Sequence, residues 1–558
     1  MPPPDSGDPS LADCLRLLDE VPAAAASSPA FRRHWPSISA SLATLSAALS
    51  SPTFPPAAPA ILPPLAAALE ALLSVAAGGA RRLGHLHTVS LVSSSAAALA
   101  QLAADARVLA APPASAAASG QDGIDGVVAR LRVGSAASRA AALEDLASAV
   151  GSSTLPPSSS SSSAVAAVAA LLDSGDLLPS SRDRAVSILA AFASSSDHFL
   201  THESAALLPH LCRALESSAG PTAEHACVAL LPLTSASRDA SAAVATRGGV
   251  GALLAFCASG TPAAQAAAAG VLRNLAGFPD LLPHFRDEPT AVPLLLQLVA
   301  LGTPRAQETA LACLRNLTAG GDSDDAQRLR VDAFQDGALA CVKDFLEYSD
   351  SSDGPGRAAA LGLLRNLAAF RDVAEAAASS GFVGLVAAAL LTTTRPATRT
   401  EAALALAELC GAVGPSSKWR KELPPDGPVV PRLVSMMEAK PVSERDAAAR
   451  ALAALLLAAT SSSSGGGGGG YRKAFRKEER GVVNAVQMLD PAVEGGVDKR
   501  FPVAVLLAVA PSRRCRKQMV AAGACGFLQG LVDGEVEGAK KLAECLGKGK
   551  MLGVFPRT

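Results

Sequence analysis

Three copies of one short motif decide the fold: Leu272-Arg-Asn-Leu-Ala276, Leu314-Arg-Asn-Leu-Thr318 and Leu364-Arg-Asn-Leu-Ala368. With the asparagine as register mark, 42 residues separate the first two copies and 50 separate the next two. Leucine stands two residues before and one residue after each mark, a spacing of three that places both leucines on one helix face. The sequence therefore predicts an array of helical repeats with a period near 42 residues.

The same frame continues on both sides of the three motifs. Apolar residues keep their spacing around weaker marks at Asp145, Ala191, Pro232, Glu408, Ala454 and Ala508. Six residues before most marks stands an alanine, which lets neighbouring helices approach closely: Ala185, Ala226, Ala268, Ala310, Ala360, Ala402 and Ala448. Eight or nine repeats over residues 123–546 are expected.

Each repeat contains two shorter helices before the motif helix, with glycine between them. The clearest case predicts one helix over residues 371–380, a turn at Gly381 and an apolar helix over residues 382–391. The same order predicts helices at 238–247 and 250–257, and at 325–336 and 338–346. Glycine enters the left-handed backbone region at low cost, so a sharp turn is expected there.

This order of a short helix, a glycine turn, an apolar helix and a long third helix resembles the armadillo repeat. The resemblance implies an all-α fold, a right-handed superhelix (α-solenoid) whose third helices line a concave groove. Residues 11–110 contain four predicted helices separated by proline- and glycine-rich breaks. That arrangement resembles the N-terminal helical bundle of plant armadillo proteins, including relatives of the U-box type.

The remaining segments are predicted to connect or flank these domains. Residues 1–10 are predicted to be a disordered N-terminus, residues 111–122 a linker and residues 547–558 a tail. Insertions lengthen the period near residues 152–163, 320–325, 349–356 and 461–470. Insertions in repeat arrays belong in loops, so the serine run Ser158 to Ser163 is expected to be an exposed loop.

Composition argues against several classes of partner. Lys plus Arg number 49 and Asp plus Glu 50, for a net charge of -1, so dedicated nucleic-acid binding is not expected. Residues 471–558 are locally basic, with a net charge of +7 from 16 Lys plus Arg and 9 Asp plus Glu. This region could touch an anionic membrane surface or an acidic partner, or it could simply be solvated. We find no signal peptide and no membrane-spanning run, which favours the cytoplasm, the nucleus or both.

No catalytic, cofactor or metal site is predicted. The glycine run Gly465 to Gly470 precedes Tyr471-Arg-Lys rather than the Gly-Lys-Ser/Thr of a phosphate-binding loop. His198 and His202 stand four apart, but scattered histidines are more often surface residues than zinc ligands. The 10 cysteines form no Cys-x-x-Cys pair. We therefore expect a protein that is not an enzyme.

The candidate binding residues are those of the repeated motif. The resemblance implies that Asn274, Asn316 and Asn366 face the concave groove, where each carboxamide could pair with the backbone of an extended protein segment. The alternative is that these amides cap or hydrogen-bond a neighbouring helix. The arginines directly before them, Arg273, Arg315 and Arg365, would form a basic stripe for an acidic or phosphorylated segment, or else be solvated or paired.

The favoured function is non-catalytic binding of protein segments by an adaptor or scaffold. One alternative is a substrate-recognition component associated with ubiquitin ligation, although the Cys-Pro-Ile-containing signature of a U-box is not found. A second is an importin-like nuclear transport adaptor, which is less favoured because Gly270, Ala312 and Gly362 stand where importins place tryptophan. Replacing all three motif asparagines by alanine is expected to weaken binding while leaving thermal stability nearly unchanged.

Overall fold

The computed structural model describes residues 10–26, 31, 34–51, 54, 61–79, 85–110, 122–134, 136–151, 158–173, 178–195, 204–217, 220–321, 323–348, 354–412, 419–457, 469–491 and 496–551. Every regular element within those ranges is helical, which confirms the predicted all-α class. The chain divides into two compact units, residues 1–243 and 244–558. The predicted boundary between bundle and repeats, near residues 111–122, stays a prediction.

The first unit begins with four helices and continues with six more. They are α1 Leu11–Ala26, α2 Trp35–Leu49, α3 Leu62–Ser74 with a π-helical turn Val75–Gly79, α4 His85–Ala110, α5 Asp122–Val133, α6 Ala136–Gly151, α7 Ser158–Asp173, α8 Pro179–Ser195, α9 Ser204–Ser217 and α10 Pro221–Ala236. Helix α11 Arg238–Thr246 spans the division between the units.

The four N-terminal helices lie where the sequence predicts helices. Helix α1 packs on α3, and α2 packs on α4. Leucines at helical spacing form their shared core, with Leu45, Leu65, Leu69 and Leu99 fully buried. Ser10 precedes α1 and its Oγ accepts a hydrogen bond from the backbone N–H of Asp13, which satisfies one of the free donors of the first turn.

The second unit contains the helices of the remaining repeats. They are α12 Gly249–Ser259, α13 Pro262–Leu275, α14 Leu282–Arg286 preceded by a 3-10 turn Pro279–Leu281, α15 Ala291–Leu301, α16 Pro304–Leu317, α17 Asp324–Gln335, α18 Ala338–Tyr348, α19 Pro355–Ala368, α20 Arg371–Ser379, α21 Phe382–Thr392, α22 Pro396–Ala412, α23 Trp419–Glu422, α24 Val429–Met436, α25 Val442–Leu457, α26 Gly470–Lys477, α27 Gly481–Gln487, α28 Arg500–Val509, α29 Arg513–Ala521, α30 Ala524–Asp533 and α31 Ala539–Met551.

Consecutive third helices stack in each unit, which makes both units helical-repeat solenoids. In the first unit α6 contacts α8 and α8 contacts α10; in the second, contacts run in order through α13, α16, α19, α22, α25 and α28. The paired apolar residues of the motif are buried in every one of these helices, for example Leu314 and Leu317 at 0% exposure. All seven alanines six residues before the marks are also 0% exposed. The right-handed superhelix stays a prediction.

Glycine supplies the turn between first and second helices, as predicted. Gly381 has φ 89° and joins α20 to α21, which bend by 80° relative to each other. Gly248, Gly337 and Gly523 adopt the same left-handed conformation at the equivalent turns. A residue with a Cβ pays a steric cost in this region, so the glycines permit the turn that starts each second helix.

The prediction that Ser158 to Ser163 forms a loop is wrong, because these residues begin helix α7. The apolar residues that follow, including Val165, Val168 and Leu171, are buried and anchor the helix. Arg132 Nη2 also donates to Ser163 Oγ at 3.3 Å. Part of the predicted C-terminal tail is likewise helical, since α31 continues to Met551.

Parts of several other predicted segments lie outside the described residues, namely residues 1–9, 111–121, 152–157, 349–353, 461–468 and 552–558. His198 and His202 also lie outside them. Among the described residues, no group of three or more His, Cys, Asp or Glu side chains could hold a metal ion. No single helix in the same ranges is long and apolar enough to cross a bilayer, although two bent helix pairs meet that test when each pair is taken together.

Candidate functional site

The three Leu-Arg-Asn-Leu motifs form the last turns of α13, α16 and α19, three consecutive third helices. Each helix starts with proline, which suits the first turn because its missing N–H would have no partner there. Thr261 and Thr303 cap α13 and α16, each through a hydroxyl that accepts from a backbone N–H at 3.4 Å. We call the six motif side chains the third-helix row: Arg273, Asn274, Arg315, Asn316, Arg365 and Asn366.

Two asparagines of the row, Asn316 and Asn366, tie their third helix to the one before it. Asn316 Nδ2 donates to the Arg273 carbonyl oxygen at 3.0 Å. Asn366 Nδ2 donates to the Arg315 carbonyl oxygen at 2.9 Å and to Thr318 Oγ1 at 3.0 Å. The last four carbonyls of a helix have no partner within it, so these amides cap the preceding helices. The alternative role for the asparagines, hydrogen bonding to a neighbouring helix, is therefore what the structure shows at these two positions.

Each arginine of the row holds the amide oxygen of the asparagine that follows it. The distances from Arg Nη2 to Asn Oδ1 are 2.9 Å for Arg273–Asn274, 3.2 Å for Arg315–Asn316 and 3.1 Å for Arg365–Asn366. In Asn316 and Asn366 the amide oxygen therefore faces the guanidinium while the amide nitrogen faces the neighbouring helix. Asn366 has both of its N–H groups and its oxygen engaged and is only 8% exposed, so it offers little to a ligand.

Among the described residues, one arginine of the row forms an ion pair and the other two do not. Arg365 Nη1 forms an ion pair with Glu401 Oε2 of α22 at 2.8 Å. Burial raises the pKa of Glu401, while Arg365 and then Arg315 act to lower it. In the part of the chain that the structure describes, Arg273 and Arg315 form no ion pair. Among the described residues the row thus presents two half-buried arginines that form no ion pair, although Arg315 still feels the charge of Glu401, beside a third arginine that is paired with Glu401.

Gly362 explains how Arg315 reaches this position. A Cβ at residue 362 would lie 2.5 Å from Arg315 Cδ and 3.0 Å from its Cγ. The aliphatic stem of Arg315 therefore crosses α19 where any side chain would obstruct it. Beyond this contact the guanidinium donates to Asn316 Oδ1 at 3.2 Å.

Sequence reasoning missed the acidic residues of this surface. Glu401 lies two helical turns before Glu408, and Glu408 is an exposed residue at a register mark. Both therefore share the face of the motif asparagines, a signal that the 3.6-residue period could have provided. Further along, Arg450 pairs with Asp446 at 2.7 Å and lies over the ring of Phe501 at 4.7 Å.

The basic C-terminal region is separate from the row. Lys477 and Arg480 pair with Asp426 and Glu438, at 3.4 Å and 3.1 Å. Other basic side chains on α26 and α29 are exposed and form no ion pair within the described ranges: Lys473, Arg476, Arg513, Arg514 and Lys517. Contact of this region with a membrane stays a prediction.

Comparison with known proteins supports the fold alone. No known family profile and no curated protein matches the chain. An engineered protein of known structure is 24% identical, with 76% of this chain and 98% of that chain covered and a TM-score of 0.59. A second engineered protein is 22% identical over 44% of this chain and 98% of its own, with a TM-score of 0.38. A designed armadillo repeat protein in complex with the peptide (KR)4 is 15% identical over 43% of this chain and 98% of its own, with a TM-score of 0.37.

Proposed function

We propose that this chain is an armadillo-type adaptor or scaffold whose third-helix row binds an extended, acidic or phosphorylated segment of another protein without catalysis. The observation that carries the proposal is the pair Arg273 and Arg315, half-buried on consecutive third helices and without an ion pair among the described residues. Guanidinium groups bind carboxylate and phosphate by charge-assisted, often bidentate hydrogen bonds. An anionic ligand could therefore accept hydrogen bonds from both guanidinium groups.

The spacing of the helices suggests how such a ligand would lie. Packed helices are about 8–10 Å apart, and an extended chain rises about 3.3 Å per residue. Two anionic residues separated by two or three positions would therefore meet Arg273 and Arg315 in turn. Asn316 supports this arrangement, because its Nδ2 uses one N–H for the Arg273 carbonyl and has a second that could donate to the ligand backbone.

A lysine-rich ligand is not favoured at this surface. The three arginines of the row would repel lysine side chains. The stem of Arg315 also occupies the space above Gly362, where an importin would place a tryptophan to stack a lysine. The proposed ligand is therefore of the opposite charge.

The test uses three fluorescein-labelled ten-residue peptides of Gly and Ser. Each carries one pair of charged residues three positions apart: two phosphoserines, two glutamates or two lysines. Wild type is expected to bind the anionic peptides in fluorescence anisotropy and not the lysine peptide. The double variant Arg273→Gln/Arg315→Gln is expected to bind about tenfold or more weakly, since hydrogen bonds to charged groups contribute about 1.5–3 kcal/mol. The matched control, Arg328→Gln/Arg371→Gln, removes the same charge from exposed first-helix positions and should bind like wild type. Equal affinity of wild type and the row variant would contradict the proposal.

Glu401→Gln is expected to tighten binding of the phosphoserine peptide about three- to tenfold. The reason is that Glu401 competes with the ligand for Arg365 at 2.8 Å, and glutamine removes that competing charge. Because the pKa of Glu401 is raised, its protonation should also free Arg365 for the ligand as pH falls through the range just above the usual glutamate value. Since the phosphoserines also gain protons at about pH 6, affinity falls on acidification for both proteins, and titration in the same assay should show a smaller fall for wild type than for the variant.

The control for that titration is Glu375→Gln, which removes an exposed carboxylate paired with Arg371 on the first helix α20. It should leave both affinity and pH dependence unchanged. Unchanged or weaker binding by Glu401→Gln would contradict competition between Glu401 and the ligand for Arg365.

A further inference from the structure

A groove of about 660 Å³ lies between α15 and α18, the second helices of two consecutive repeats. It is separate from the third-helix row. Helix α15 lines one side with Pro293, Leu296 and Ala300, and helix α18 lines the other with Cys341, Phe345 and Tyr348. In both helices these residues are spaced i, i+3 or i+4, and i+7, so each wall is one continuous helix face.

The groove is lined by apolar and polar side chains, Gln297 and Gln307 among them, and it is open to solvent. Leu296 is 7% exposed, and Cys341 Sγ approaches the Leu296 carbonyl oxygen at 3.7 Å. Phe345 rests against the first turn of α19, where a Cβ at Gly356 would lie 2.8 Å from its Cζ. At the rim, Tyr348 is 78% exposed. An exposed aromatic ring therefore stands beside the apolar side chains of the groove.

The length of the groove suits a short helix. Seven residues of helix extend about 10 Å, or two turns. A helix that lies in a groove presents anchors at i, i+3 or i+4, and i+7, the same spacing as the two walls. Aliphatic side chains from such a helix would cover Leu296, Cys341 and Phe345.

Two acidic side chains at the rim of the groove indicate the charge that its partner should carry. Asp336 and Asp344 line the groove, and neither forms an ion pair within the described part of the chain. Lys343 of α18 is instead engaged with Glu347 at 3.8 Å. We propose that this groove, defined by the facing stripes of α15 and α18, binds an amphipathic helix of another protein that carries aliphatic anchors and flanking Lys or Arg residues.

The test is a selection from a displayed library of 14-residue helical peptides, in which four positions on one face and the flanking positions are randomised. Wild type is the target, and the variant Ala300→Trp, whose indole would obstruct the groove, is used for counter-selection. Enriched peptides are expected to carry aliphatic residues at i, i+3 or i+4, and i+7 with two or more Lys or Arg beside them. In fluorescence anisotropy Ala300→Trp should weaken their binding at least tenfold, and Asp336→Asn/Asp344→Asn should weaken it severalfold.

The matched control is Ala258→Trp. Ala258 is an exposed residue of α12 at the position equivalent to Ala300 of α15, and it does not line the groove. This variant should bind the selected peptides like wild type, and thermal unfolding of both tryptophan variants should show that they fold. Arg273→Gln/Arg315→Gln should also bind normally, because this groove does not depend on the third-helix row.

Three results would overturn the proposal. Selected peptides could be acidic, or their binding could be the same for wild type and Ala300→Trp. Sedimentation could instead show a wild-type dimer that Ala300→Trp converts to a monomer, in which case a second copy of this chain is the occupant.

Discussion

Replacing Arg399 by methionine is expected to lower the free energy of unfolding by about 3–5 kcal/mol, because it leaves a buried carboxylate without its partner. The Glu444 side chain is 2% exposed and that of Arg399 18%. Arg399 holds both oxygens of Glu444, with Nη2 at 3.2 Å from Oε2, and its Nη1 donates to the Thr394 carbonyl oxygen at 2.7 Å. This pair joins the first turns of α22 and α25 and therefore holds two repeats together.

Urea unfolding followed by circular dichroism measures the loss. The double variant Arg399→Met/Glu444→Gln removes the stranded charge and should recover most of the stability. The control Arg371→Met breaks the exposed pair with Glu375, which should cost less than about 1 kcal/mol. A double variant as unstable as Arg399→Met alone would show that charge burial is not the cause.

Asn366→Ala is expected to lower the free energy of unfolding by about 1–3 kcal/mol. The substitution removes two hydrogen bonds donated to the preceding repeat and deprives Arg365 of an acceptor, all at a residue that is 8% exposed. The sequence alone suggested that alanine at the three motif asparagines would leave stability nearly unchanged. The structure reverses that expectation, because the amide is part of the packing between repeats.

Asn316→Ala is the matched comparison, since it stands at the same motif position but is half-buried and makes one inter-repeat hydrogen bond. Thermal and urea unfolding of both variants should rank Asn366→Ala as the more destabilised. Equal stability of Asn366→Ala and wild type would show that the Asn366 amide does not stabilise the packing between repeats.

The sequence by itself determined the class of the fold and the position of the core. Leu364, Leu367 and Ala360 are predicted to be buried from their helical spacing, and all three are 0% exposed. Gly381 is predicted to turn the chain, and its φ of 89° confirms this. These properties follow from neighbours within one or two helical turns, so a local pattern is sufficient to reveal them.

Tertiary structure alone decided what the motif side chains contact. The acceptors of the Asn366 amide, Arg315 and Thr318, lie 51 and 48 residues earlier in the chain. Glu401 reaches Arg365 from the next third helix, 36 residues later. Hydrogen bonds and ion pairs depend on distances of a few ångströms between helices that are remote in sequence, and periodicity carries no information about those distances. The sequence pattern is the same at all three arginines, so only the tertiary structure distinguishes Arg365 from Arg273 and Arg315, which form no ion pair within the described ranges.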